Sequence, residues 1–318
     1  LKKQNRSLGI SEKEIIKIAI KTLGLDELTP FIPNERIIEY MLTENDSSSL
    51  VNMNLINFAN ETSSESPAPG GGSISAYCGA MGAALGTMVA NLSAHKRGWD
   101  DKWKTFSNWA EKGIKYQNEL LRLVDEDTMA FNKIMEAFKL PKGSEMERIK
   151  RLDAIQKATK FAIDTPYKVM KIAYDSMEVM KAMSEIGNPN SITDAAVGAI
   201  CARTAVYGAY LNVKINCKDL HDKEYVNKVL KDCQSLIEKS ITLEKEILKT
   251  TENNNLDQEN EEKNSESENK EVEKLTPEEE LETLKDKLAR TFAEMENQRR
   301  RFEKERDDAY EYGGYSFA

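Results

Sequence analysis

The sequence predicts an all-α protein, on three observations. Apolar and small residues recur every three or four positions through long segments, and no stretch alternates polar and apolar as a strand would. Breaks fall at Gly98-Trp99, Pro141-Lys142-Gly143, Thr165-Pro166 and Gly187-Asn188-Pro189, as helix ends require. Two segments carry a face of almost bare backbone at helical spacing: Ala76, Gly79, Ala83, Gly86 and Ala90 in one, Asp194, Gly198, Cys201, Ala205, Gly208 and Asn212 in the other. Such faces are expected to pack on each other.

In chain order, Ser11 and Glu14 form a capping box that opens a helix ending at Gly24, and Pro30-Phe31-Ile32-Pro33 is an extended link to a second short helix after Asn34. A polar hinge from Glu44 to Ser49 separates residues 1–43 from a helical domain over 50–249. Inside that domain, Pro67-Ala68-Pro69-Gly70-Gly71-Gly72-Ser73 is a loop feeding the first bare-faced helix from Ser73. Free amides at a helix start favour an anionic group, which makes Pro69, Gly70, Gly71, Gly72 and Ser73 a candidate binding element; the alternative is close helix packing in the core. A dinucleotide loop is excluded, because the preceding segment is polar and the G-x-G-x-x-G spacing is absent. A membrane span over Ser73 to Leu92 is also disfavoured, since that run has few leucines and ends in Asn91 and His95-Lys96-Arg97. From 250 to 275 the chain is almost wholly polar and predicts a disordered acidic linker. Residues 276–318 then repeat Leu281, Leu288, Met295, Phe302 and Ala309 every seven positions, a coiled-coil seam weakened on its other flank by Thr291 and Gln298.

With 318 residues and 40% hydrophobic content the chain can bury one sizeable core or two modest ones. A net charge of -9 argues against a nucleic-acid partner, which would need clustered Lys and Arg. The cysteines (Cys78, Cys201, Cys217, Cys233) are too far apart for metal-type pairing, so no metal site is expected and reduced thiols point to a cytoplasmic location. The first residues lack the apolar core of a signal peptide and do not begin with Met, so the chain reads as cut at its start.

The sharpest chemical clue is Asp127. Leu120, Val124, Phe131, Ile134 and Phe138 form one apolar stripe that includes it, while Asp125 and Glu126 point elsewhere. A carboxylate on a buried face has its pKa raised and suits a general acid/base; the alternative is an ion pair with Lys or Arg of a neighbouring helix. It is expected to be mostly buried, near the Gly70 to Ser73 loop and the Asn188 to Asp194 turn. Asn188, Ser191, Asp194, Asn212 and Asn216 also lie on apolar or small faces, although Ser191 with Asp194 can equally be a helix cap and Asn212 a satisfied core amide. His95 and His221 sit in polar surroundings and give a His-dependent nucleophile little to build on.

These motifs resemble a known family. Pro67-Ala-Pro-Gly-Gly-Gly-Ser73, Met88-Val-Ala-Asn91-Leu92, Val124-Asp-Glu-Asp127 with Ala130-Phe131, Leu140-Pro141-Lys142 and Gly208-Ala-Tyr210-Leu-Asn212-Val-Lys-Ile-Asn216 are similar to formimidoyltetrahydrofolate cyclodeaminase, in order, from about Val51 to Leu248. The resemblance implies a cyclodeaminase-type helical bundle, an ammonia-lyase acting on a tetrahydrofolate substrate with no tightly bound cofactor, a homodimer or higher oligomer, and an essential aspartate at the position of Asp127. It also brings Asn91 into the candidate substrate-binding set, with Lys96, Arg97 or Lys102 as partners for the folate glutamates. Residues 1–43, through Leu1-Lys-Lys-Gln-Asn-Arg-Ser7 and Glu35-Arg-Ile-Ile-Glu-Tyr40, resemble the closing segment of glutamate formimidoyltransferase. The tail, through Leu284-Lys-Asp-Lys-Leu-Ala-Arg290 and Tyr315-Ser-Phe-Ala318, resembles the long helix of GrpE, the nucleotide exchange factor of DnaK-type chaperones. That likeness implies an alternative function, a homodimeric co-chaperone with the helical domain as passenger.

Overall fold

The computed structural model describes residues 7–27, 29–43 and 49–268. Every regular element among them is a helix: α1 (Glu12–Thr22), α2 (Pro33–Arg36), α3 (Ile38–Thr43), α4 (Leu55–Thr62), α5 (Gly71–Ala94), α6 (Trp103–Lys139), α7 (Glu145–Ile186), α8 (Ile192–Asn216) and α9 (Lys223–Glu268). The chain divides into two compact units, Leu1–Leu256 and Asp257–Ala318. In the second, the described residues are helical through Glu268. The GrpE-like segment 276–318 lies outside the described residues.

In the first unit α5 is the axis of the bundle, packed on α6, α7 and α8. Its 24 residues include no charged side chain, and its glycines let neighbouring helices approach at backbone distance. A Cβ on Gly82 would lie 2.6 Å from the Gly198 carbonyl oxygen, and one on Gly79 3.1 Å from the Ala205 methyl. The two bare faces therefore pack on each other as expected, with α8 antiparallel to α5: Gly71 meets Asn212, and Gly82 meets Gly198. The core has two parts. One gathers Ala76, Ala80, Leu120, Leu123, Val124, Ile163 and Met170 with Val226, Val229 and Cys233 of α9; the other gathers Val89, Phe106, Met177, Met180, Met183 and Ile247. By length and composition α5 alone among the described helices is apolar enough to cross a membrane, but 61% of its most apolar window is buried inside the bundle, as in a core helix. Packing also brings the cysteines into two pairs, Cys78 with Cys201 and Cys217 with Cys233, all as free thiols.

The structure departs from the sequence reading at several places, each with a local cause. Thr165-Pro166 does not break a helix, since α7 runs through it. Pro166 has no N–H for the Ala162 carbonyl, and the Asn216 side-chain amide of α8 donates to that oxygen instead, at 2.8 Å. The α5 helix starts two residues before Ser73, at Gly71, with Gly70 as its N-cap. The stripe on α6 is not buried to its end: Phe131 and Phe138 are exposed, and the Arg151 guanidinium lies over the Phe138 ring. Finally, α9 continues past Leu248 to Glu268, where Thr251 is buried and the Asn254 amide donates to Ser184 O at 2.7 Å.

Candidate active site

Asp127, on α6, faces the first turn of α5. The Ser73 hydroxyl donates to its Oδ2 at 3.0 Å, and the Ser73 backbone N–H donates to the same carboxylate. Gly72 is buried beneath it, and a Cβ there would overlap the carboxylate, which explains why glycine occupies this position. Burial pushes the Asp127 carboxyl above the ordinary aspartate range, against the opposing pull of the two Ser73 hydrogen bonds. No Lys or Arg pairs with it among the described residues. The ion-pair alternative is therefore replaced by another: a half-buried carboxylate held by a helix N-terminus, where the amides and dipole stabilise negative charge. Asn212, one helix over, lies against Gly71 and donates its own amide to Gly208 O at 2.9 Å.

The two acids before Asp127 point away from it, as expected, but each into a partner of its own. Asp125 accepts from Ser49 Oγ and from the Leu50 N–H, both at 2.7 Å. Glu126 is 4% exposed and accepts from Arg122 Nη1 at 2.6 Å and Lys168 Nζ at 3.2 Å. One stripe was too narrow a description of α6, because that helix is enclosed by both α5 and α7 and its buried arc spans more than one face. Glu126 is the one charged residue in the buried core of the described chain.

The remaining candidates divide into two groups. Pro69, which follows a cis peptide bond, Gly70, Gly71, Gly72, Ser73 and Asn212 lie at the Asp127 end of α5. Asn91, Asn188, Ser191 and Asp194 lie at the opposite end, since the Asn188 N–H donates to Ser93 Oγ at 2.7 Å and Ser73 to Ser93 is about 30 Å of helix. The expectation that the Asn188 to Asp194 turn adjoins Asp127 thus fails within one chain, because antiparallel packing sends the start of α8 to the end of α5. At that far end Asn91 Nδ2 donates to Gly9 O at 2.7 Å, with its Oδ1 buried and unpartnered. Asn188 Oδ1 accepts from the Asn190 N–H and Ser191 Oγ donates to Asn188 O, so these two behave as a cap. Asn216 belongs to neither group, being engaged at Ala162. Lys96 and Lys102 both lie over the Trp99 ring, beyond the far end of α5.

Known proteins place this arrangement. The formiminotransferase-cyclodeaminase family matches residues 54–235, and the formiminotransferase domain matches residues 1–43. The chain is 35% identical over 234 residues to the formimidoyltransferase-cyclodeaminase of Mus musculus, covering 73% of this chain and 43% of that one. The Gallus gallus protein of the same name is 35% identical over 239 residues, covering 75% and 44%. The chain thus spans under half the length of these two relatives. It is also 33% identical over 193 residues to the methenyltetrahydrofolate cyclohydrolase of Methylorubrum extorquens, covering 61% of this chain and 93% of that one. Among solved structures, the formiminotetrahydrofolate cyclodeaminase of Thermotoga maritima superposes with a TM-score of 0.56 at 27% identity, over 64% of this chain and 97% of that one. With the family matched across the whole bundle, from α4 into α9, this chain belongs to the formiminotransferase-cyclodeaminase family.

Proposed function

We propose that the chain cyclises 5-formimidoyltetrahydrofolate to 5,10-methenyltetrahydrofolate with release of ammonia, and that Asp127 moves the proton. The observation that carries this is a half-buried carboxylate with a raised pKa, no cationic partner among the described residues, and hydrogen bonds from Ser73. Nitrogen 10 of the folate attacks the formimidoyl carbon of the protonated substrate to give a carbon bound to three nitrogens. Asp127 takes the proton from nitrogen 10 and returns it to the former imino nitrogen, which leaves as ammonia while the methenyl bridge forms. One placed acid/base of this kind is worth about 100 to 10,000-fold. A carboxyl raised above its ordinary value by burial suits both halves of the transfer better than an unperturbed one. Gly71, exposed and without a side chain, lets a flat pterin lie against the start of α5 beside Asp127.

The active unit is a homodimer, formed by the outer face of α5 and α8. Val197, Ile200, Tyr207, Leu211 and Ile215 line one exposed stripe along α8, and Ile74, Met88 and Leu92 continue it on α5. A second copy of the same face is the complementary occupant for an apolar surface of this extent.

A second reading rests on the cyclohydrolase relative. Water adding to the methenyl carbon passes through a closely similar adduct, and the same carboxylate serves as its base. The test supplies both substrates to the purified chain. Ammonia release with methenyl absorbance from the formimidoyl substrate supports the deaminase; loss of methenyl absorbance without ammonia chemistry supports the hydrolase; neither overturns the assignment of Asp127 to folate chemistry.

A further inference from the structure

We propose that Glu126 is a positioning residue for Asp127, acting through its ion pair with Lys168. This rests on the ammonia-releasing function proposed above. The consecutive acids of α6 tie that helix to three different elements: Asp125 to the turn at Ser49 and Leu50, Glu126 to α7, and Asp127 to α5. Adjacent residues on a helix point about 100° apart, so three such ties fix its rotation about its own axis. Glu126 is the costliest of the three. Its side chain is 5% exposed, while Arg122 and Lys168 are 60% and 43% exposed and reach in from the surface. Burying one carboxylate between half-solvated cations gives little net stability, and an apolar residue of similar volume would serve packing as well or better. What the pair supplies is a directional tie between α6 and α7 one residue from the carboxylate whose placement decides the chemistry.

The tie lies at a weak point of α7. Lys168 follows Pro166, where the helix lacks one backbone hydrogen bond and is stitched to α8 by Asn216. Glu126 therefore anchors α6 to the segment of α7 that is itself held from the other side. Freed from it, α6 has a softer rotation, and Asp127 loses its register against Ser73. The Ser73 N–H reports this directly. The first hydrogen bond inside α5 runs from the Ile74 N–H to Gly70 O, which leaves the Ser73 N–H with Asp127 as its partner.

The test compares Glu126→Gln, Lys168→Met and Arg122→Met in the full chain, with Asp127→Asn alongside. Misplacing a reacting group by about 1 Å can cost about a hundredfold, so kcat should fall at least about tenfold in Glu126→Gln and Lys168→Met, with KM within about twofold of wild type. Arg122→Met, on the same helix and mostly exposed, should stay within about twofold, because it makes no tie between helices. Amide exchange at Ser73 should speed up at least about tenfold in the first two variants while Ala83, in the middle of α5, keeps its wild-type rate. Lys168→Met carries the test if Glu126→Gln does not fold. A kcat within twofold of wild type, an unchanged Ser73 rate, or Ser73 and Ala83 accelerating together would each overturn the proposal. Should the wild type release no ammonia, the function fails and the exchange measurement still decides the role of Glu126.

Discussion

At its first turn α5 holds a carboxylate on its own amide and hydroxyl; at its last the hydrogen bonds run among hydroxyls, amides and backbone carbonyls. Most polar groups at the far end are engaged in structure: Ser93 Oγ receives the Asn188 N–H, Asn91 Nδ2 holds Gly9 while its Oδ1 stays buried and unpartnered, and Ser191 closes its own turn. At the near end the hydrogen bonds that hold Asp127 are outweighed by its burial, and among the described residues no opposite charge compensates it. A molecule built for stability alone would neutralise that group or replace it. The comparison supports the proposed role of Asp127, the polar group left with its charge imperfectly balanced, at a helix N-terminus lined by glycine.

The largest effect that can break this comparison is at Asp127 itself. Asp127→Asn keeps size and hydrogen bonding but removes the titrating proton, so ammonia release should fall by about 100 to 10,000-fold. Stability should move the other way. A carboxyl whose folded pKa is raised contributes fully below its unfolded value and loses that contribution as pH rises through the folded pKa. The Tm of Asp127→Asn should therefore equal or exceed that of wild type, with the gap widening as pH rises above about 4. An active Asp127→Asn enzyme would remove the central residue of the mechanism.

Next comes the glycine beneath it. Gly72→Ala places a methyl group on the Asp127 carboxylate, whereas Gly71→Ala places one 3.3 Å from the Asn212 amide, which can give way. Turnover should fall at least about tenfold in the first, and Tm by several degrees, with a markedly smaller change in the second. Equal effects would mean that the loop is only a packing element.

The far end offers the sharper test of the boundary between site and scaffold. Within one chain, Asp194→Asn should change kcat less than about twofold, because Asp194 is about 30 Å of helix from Asp127. A large loss would mean that a second copy brings its α8 start to this Asp127, and Leu211→Glu, placed in the exposed stripe, should then abolish activity and dimerisation together.

The helices themselves were legible because their signals are local: the Ser11 cap, the glycine spacing of α5 and α8, the breaks at Gly98, Pro141 and Gly187. So was Asp127, whose polarity conflicts with its own stripe. Glu126 was not, since which arc of a helix is enclosed depends on how many neighbours surround it, and a single-stripe reading assigns only one. Nor was the separation of Asn188 and Asp194 from Asp127: sequence order does not state the direction in which α8 returns along α5. Pro166 misled for a related reason, its missing hydrogen bond being replaced by a residue fifty positions later.

That replacement gives the smallest and most specific prediction. If Asn216 serves α7 and not substrate, Asn216→Ala should leave kcat within about twofold while costing about 1 to 3 kcal/mol of stability, the penalty for an unpaired carbonyl at Ala162. Pro166→Ala restores an N–H that can bond that oxygen in the ordinary helical way. In the Pro166→Ala background, Asn216→Ala should therefore be nearly silent, and the two substitutions should show a coupling energy of about 1 kcal/mol or more. Additive effects would show that Asn216 acts elsewhere. A kcat loss that persists in the Pro166→Ala background would return Asn216 to the substrate-binding group, and would move the boundary of the site one turn further along α8.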